Sequence, residues 1–244
     1  MNRVVNKAQQ VLFILLGITI PTSIAITNLV IGLLALCWII EGDFKNKFKA
    51  IKASKWILSV FALIALYGLG MLWGNTHLNA NWQFQRLALL LVFPVLRTMN
   101  LKQETIRNGV VAFLITTFIS AIVSIAINNN IILPIDEYFS FINYDWSISA
   151  FIKYNYHNVI LSLSFTISLY ILIEIKSKYK VALVLFIIAY AISIFTERGR
   201  AGQVIFNLSA LFYIIYYNRK HLLRLLAFII LLFSFQFIVY KTTN

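Results

Sequence analysis

The chain has 244 residues, 61% of them apolar and 12% charged, and carries a net charge of +13 from 21 Lys and Arg against 8 Asp and Glu. An average soluble domain is about 45–50% apolar and about 25% charged, and a mean hydropathy of +0.84 leaves too much apolar surface for one compact core. These figures exclude a soluble domain, and only nine Gly and three Pro exclude collagen-like or low-complexity chains; the class that remains is an all-α polytopic transmembrane helix bundle.

Taken in chain order, apolar runs cover 4–20, 24–40, 56–73, 83–96, 108–127, 156–174, 181–196, 201–217 and 222–240, so about nine spans are expected. Helices are expected throughout because no run alternates with the period of two that a barrel requires. Arg3 and Lys7 precede Val11–Ile20, but no small-residue cleavage site follows, so this is a retained span rather than a removed signal. Pro21-Thr22-Ser23 interrupts the next stretch and predicts a hairpin, since a proline inside a helix removes a hydrogen bond and clashes with the preceding turn.

Charge orients the threading. Lys45, Lys47, Lys49, Lys52 and Lys55 follow the hairpin, and placing them with Arg3 and Lys7 on the cytoplasmic side gathers 16 of the 21 basic residues there. The opposite side keeps Arg86, Lys153, Arg198, Arg200 and Lys241, an asymmetry that fits the positive-inside rule. Trp56 on the inside, with Trp73 and Trp82 outside, fall where interfacial aromatic anchors belong. The N-terminus is then cytoplasmic and the C-terminus, Lys241–Asn244, outside. The whole chain, 1–244, is expected to form a single transmembrane domain with an outer-face loop at 128–155.

The basic residues lie in short clusters between apolar runs, a topology signal rather than a nucleic-acid-binding face, so no nucleic acid is expected as a partner. Cys37 is the only cysteine, which excludes a disulfide framework and a cysteine metal centre. No nucleotide loop, zinc motif or nucleophile elbow is present, so no metal and no cofactor are expected.

The outer-side cations are the exceptions, and exceptions at a membrane point to function. Thr196-Glu197-Arg198-Gly199-Arg200-Ala201-Gly202-Gln203 is expected to form a tight outer turn that opens a helix at Arg200. Two guanidinium groups, glycine flexibility and free helix N–H groups make an anion site, and the planar fork of arginine suits phosphate. The competing reading pairs Arg198 with Glu197 and lets both arginines snorkel to lipid head groups. Arg86, before the fourth run, faces either head groups or the same anion site. His157, in Tyr154-Asn155-Tyr156-His157-Asn158, either acts on a substrate hydroxyl or phosphate, or merely sits at an interfacial helix start with Asn155 as its N-cap. His77 is expected to be a loop residue and His221 a topology residue. Asp136, Glu137 and Asp145 share the long outer loop with Tyr138, Tyr144 and Trp146, a mixture suited to carbohydrate or to the membrane surface.

Phe195-Thr196-Glu197-Arg198-Gly199-Arg200-Ala201-Gly202-Gln203 resembles the Thr-x-x-Arg-x-Gly turn of the bacterial O-antigen ligase and polymerase superfamily, integral membrane proteins in which that turn opens a transmembrane helix. Pro21-Thr22-Ser23-Ile24-Ala25-Ile26-Thr27-Asn28 is similar to the turn between that family's first two helices. The resemblance implies a transferase that moves a glycan from undecaprenyl diphosphate to lipid A–core, or to a growing glycan, on the periplasmic face, inverting the anomeric centre without a metal. It implies that Arg200, with Arg198 as an alternative, binds the diphosphate; Gly202 in the same turn, and Arg86 by its place on the outer side, are expected at that site. Catalytic residues are not identified beyond the candidate His157. Family members continue into a large periplasmic loop with another arginine and an acceptor-activating histidine. The sequence stops at Asn244, where such a loop would begin, so an incomplete catalytic set is expected, and a non-catalytic truncated paralogue is the alternative. A transporter would place ionisable residues at mid-membrane depth, whereas the charges here cluster at span ends.

Overall fold

A computed structural model describes residues 3–73, 84, 87, 89–132, 148–174, 179–197, 199–218, 230 and 234. Helix accounts for 87% of them. Nine α-helices follow one another: α1 (Arg3–Thr19), α2 (Ile24–Glu41), α3 (Phe44–Lys52), α4 (Lys55–Trp73), α5 (Val92–Thr98), α6 (Gln103–Asn128), α7 (Tyr154–Glu174), α8 (Lys180–Thr196) and α9 (Arg200–Asn218), all among the described residues. A 3₁₀ turn at Leu89–Leu91 leads into α5. Ile148–Ser149 and Ile152–Lys153 (β1 and β2) form a two-residue antiparallel ladder just before α7.

Among the described residues three helices are long and apolar enough to cross a membrane, namely α2, α6 and α7, or up to four if α3 and α4 count as one bent span. The expected nine spans therefore exceed what the structure supports. Length and polarity account for the difference. α1 has 17 residues and carries Arg3, Asn6, Lys7, Gln9 and Gln10 in its first half, α8 also stops at 17, and α9 carries Arg200, Gln203, Asn207 and Ser209 among its 19. Of the expected fourth run, the described residues form the 3₁₀ turn and the seven-residue α5, with 84 and 87 also helical. The expected ninth, 222–240, lies outside the described residues apart from 230 and 234.

The apolar exteriors have a helical period. α2 exposes Ile26, Leu29, Leu33, Leu36 and Ile40 along one stripe while burying Val30 and Leu34. A continuous apolar stripe of this kind needs hydrocarbon or protein against it. Some of these helices thus suit a membrane, and the protein is membrane-associated in that sense.

The chain divides into two compact units, Met1–Leu16 with Ala25–Asn108, and Gly17–Ile24 with Gly109–Asn244. In the first unit, Gln9 Nε2 donates to Glu41 Oε2 at 3.2 Å, so the start of α1 meets the end of α2 and the two helices form the expected hairpin. The break falls at Pro21. There the Thr19 carbonyl accepts the N–H groups of Thr22 and Ser23 at 3.0 and 2.9 Å, and the Thr22 hydroxyl caps the Ile18 carbonyl at 3.1 Å. Trp38 Nε1 donates to Thr98 Oγ1 at 2.7 Å, tying α2 to α5, and α3 packs on α4 and α5.

The second unit is built around α7, which packs on both α8 and α9. Its core gathers Ala121, Leu161, Phe165, Tyr190, Ile194, Phe206 and Ala210 from α6, α7, α8 and α9. Phe165 and Phe206 approach with ring centroids 4.3 Å apart, and Phe118 stacks on Phe186 at 4.4 Å. The Tyr190 hydroxyl donates to the Leu114 carbonyl at 2.7 Å, which fixes α8 alongside α6.

Candidate functional site

Four helix ends converge at one end of the second unit: the C-termini of α6 and α8 and the N-termini of α7 and α9. Their meeting point is polar although the helices are apolar. α6 brings Thr117, Ser120 and Ser124, spaced so that they share one face. α7 brings His157 in its first turn, and α8 brings Ser193 one turn before its end. All five side chains are buried.

Glu197 organises four of them, while the Thr117 hydroxyl bonds the Phe113 carbonyl of its own helix. The glutamate follows the last turn of α8 in extended backbone, φ −89° and ψ 154°, so its side chain turns back into the bundle. Its Oε1 lies 2.8 Å from His157 Nδ1 and accepts the hydroxyl of Ser193 at 2.9 Å. The same oxygen accepts the Ser124 hydroxyl. On the far side of the imidazole, Nε2 lies 2.8 Å from Ser120 Oγ. A carboxylate only accepts hydrogen bonds, so with Glu197 ionised Nδ1 carries a proton, and a neutral His157 presents the Nε2 lone pair to the Ser120 hydroxyl. The side chains of His157 and Glu197 are 0% and 2% exposed, and both ring nitrogens are engaged. The supported role of His157 is to hold the α8–α9 turn against α6 and α7, rather than to meet a solute.

The turn itself is closed by Gln203, whose Nε2 donates to the Ile194 and Glu197 carbonyls at 3.3 and 3.4 Å. These are carbonyls that the end of α8 leaves without intrahelical donors. Asn158 presses against the turn from α7. A Cβ at Gly199 would sit 2.1 Å from Asn158 Nδ2, and one at Gly202 would sit 2.5 Å from the Asn158 carbonyl oxygen. Only glycine permits this approach, as at close helix crossings generally. Ser162 Oγ reinforces it, lying 2.7 Å from the Gly202 carbonyl oxygen and 2.8 Å from that of Asn158. Asn158 is fully buried, and neither of its amide atoms finds a partner among the described residues.

The expected site residues fare differently. Arg200 is exposed at the first position of α9, where the turn was expected to open a helix, and no acidic residue shares that first turn. Gly202 is buried against α7. Arg198 and Arg86 lie outside the described residues, as do His77, His221 and most of the outer loop, including Asp136, Glu137 and Asp145. The expected pairing of Glu197 with Arg198 is accordingly not described, while Oε1 of Glu197 serves α6, α7 and α8. α7 begins at Tyr154, so Asn155 lies within its first turn instead of capping it. Ser120, Ser124 and Ser193 were missed, as were the structural roles of Asn158 and Glu197. The detectable signal was small polar residues on the inner face of apolar helices, at 117, 120 and 124 and at 158, 162 and 168.

Comparison with family models, with curated proteins and with solved structures finds no match to this chain.

Proposed function

We propose that the chain is a membrane-embedded glycan transferase of the O-antigen ligase and polymerase kind, taking its glycan from undecaprenyl diphosphate at the periplasmic face of a bacterial inner membrane. Arg200 is the observation that carries this reading. A helix N-terminus bears about half a positive charge, and an exposed guanidinium is added there with no acidic residue in the first turn. A diphosphate supplies the missing anion and matches the bidentate fork of arginine. In the transfer, an acceptor hydroxyl oxygen bonds to the anomeric carbon and releases its proton to water while the bond from that carbon to the diphosphate oxygen breaks. Arg200 stabilises the charge that collects on the leaving diphosphate, and the buried His157–Glu197 pair keeps the turn in place.

In this reading the end of the second unit that carries Arg200 faces the periplasm and the N-terminus lies in the cytoplasm, on the distribution of basic residues. The acceptor is lipid A–core for a ligase and a growing glycan for a polymerase.

The test is binding of undecaprenyl diphosphate to the purified chain in lipid nanodiscs. Arg200→Lys should weaken it roughly tenfold, equivalent to about 1.4 kcal/mol, while Arg107→Lys, at an exposed arginine of α6, should leave it unchanged. Equal binding by all three proteins removes the reading.

A further inference from the structure

In the first unit, α3 is set at 91° to α4, separated from it by a two-residue break. α4 has 19 residues and Lys55 as its only charged one, whereas α3, FKNKFKAIK, has four lysines among nine residues. Charged side chains are costly in hydrocarbon, so of the two helices only α4 suits the bilayer interior, and the right angle lays α3 along the bilayer surface.

The side chains of α3 divide accordingly. Lys47 and Ile51 are buried. Lys47 Nζ lies 3.0 Å from Glu41 Oε2, donates to the Trp38 carbonyl at 2.6 Å, and stands 4.7 Å from the Trp38 ring centroid. This anchor fixes the rotation of α3 about its own axis. With 3.6 residues per turn, Lys45, Lys49 and Lys52 then fall within about one sixth of the circumference, away from the anchor. All three are exposed. Phe44 and Phe48 occupy the neighbouring strip, 42% and 57% exposed. The one exposed carboxylate of this segment, Asp43, is held by the Asn46 amide at 3.0 Å.

We infer that α3 is a docking surface for anionic lipid head groups, with Lys45, Lys49 and Lys52 on the phosphates and Phe44 and Phe48 seated at the acyl boundary. Charge complementarity commits the face to this occupant. Among the described residues no carboxylate forms an ion pair with these lysines, and the aromatic strip beside them suits lipid better than a free anion.

The experiment uses the full chain in detergent micelles, titrated with phosphatidylglycerol or phosphatidylcholine and followed by native mass spectrometry. Phosphatidylglycerol should bind preferentially, and Lys45→Gln/Lys49→Gln/Lys52→Gln should cut that preference about a hundredfold at low salt, on the usual contribution of a surface lysine. Raising the salt should erode the wild-type preference. Amide exchange at 44–52 should slow in anionic nanodiscs relative to zwitterionic ones, which tests the same face without any substitution. Equal binding of the two lipids, an unaltered preference in the triple variant, or equal competition by millimolar inorganic phosphate would overturn the assignment. Unchanged exchange at 44–52 in anionic nanodiscs would overturn it too, and would leave the face to an acidic protein partner.

Discussion

Lys47 with Glu41 in the first unit and His157 with Glu197 in the second are both buried acid–base pairs, yet their surroundings differ. Lys47 spends its donors on Glu41 and on the Trp38 carbonyl, and it lies over the Trp38 ring. The result is a cation on α3 clamped to α2 by contacts that survive the loss of any single one. Glu197 instead offers one oxygen to His157, Ser124 and Ser193, which stand on three different helices. Removing that carboxylate undoes all three contacts together. The first arrangement anchors a surface helix, while the second decides where four helix ends meet and so where Arg200 stands.

The sharpest way to break this comparison is Glu197→Ala. It should cost about 3–5 kcal/mol, the usual penalty for removing one partner of a buried pair, seen as a lowered thermal unfolding midpoint in detergent. Glu41→Ala should cost less, about 1–3 kcal/mol, the cost of one unsatisfied buried group, because Lys47 keeps the Trp38 carbonyl and only the Gln9 amide loses its acceptor. Equal losses would mean that Glu197 is no hub.

Two glycines give the next contrast. Gly202→Ala forces a methyl group into the Asn158 backbone and should cost about 1–3 kcal/mol as overpacking, with faster amide exchange in α7 and α9. Gly32→Ala in α2 meets nothing within 4 Å and should stabilise by about 0.4–1 kcal/mol through the unfolded chain. A stabilising Gly202→Ala would contradict the close crossing. Ser120→Ala should produce one of the smaller losses, about 0.5–1.5 kcal/mol for one hydrogen bond, and should leave the exchange of α3 untouched.

Much of this organisation was legible in the residues. Pro21 marked the reversal between α1 and α2, and Gly199 with Arg200 marked the start of α9, because backbone restrictions act locally and show in single residues. The number of spans was less legible. Hydropathy averaged over a window counts α1, α8 and α9 as membrane-length runs, while the lengths and polar faces of the formed helices reduce that number. Ser120, Ser124 and Ser193 went unnoticed because an isolated serine in an apolar run lowers hydropathy only slightly, whichever way it points.

By itself, then, the sequence determined the helical membrane class, the breaks and the asymmetry of basic residues, all of which follow from composition and near-neighbour chemistry. Tertiary structure alone decided that Glu197 turns inward to His157, that Asn158 lies against Gly199 and Gly202, and that Lys47 points inward while Lys45, Lys49 and Lys52 point out. Each of these depends on which helix faces meet, and partners as far apart as Ser124 and Glu197 or Gln9 and Glu41 become neighbours only when the helices pack.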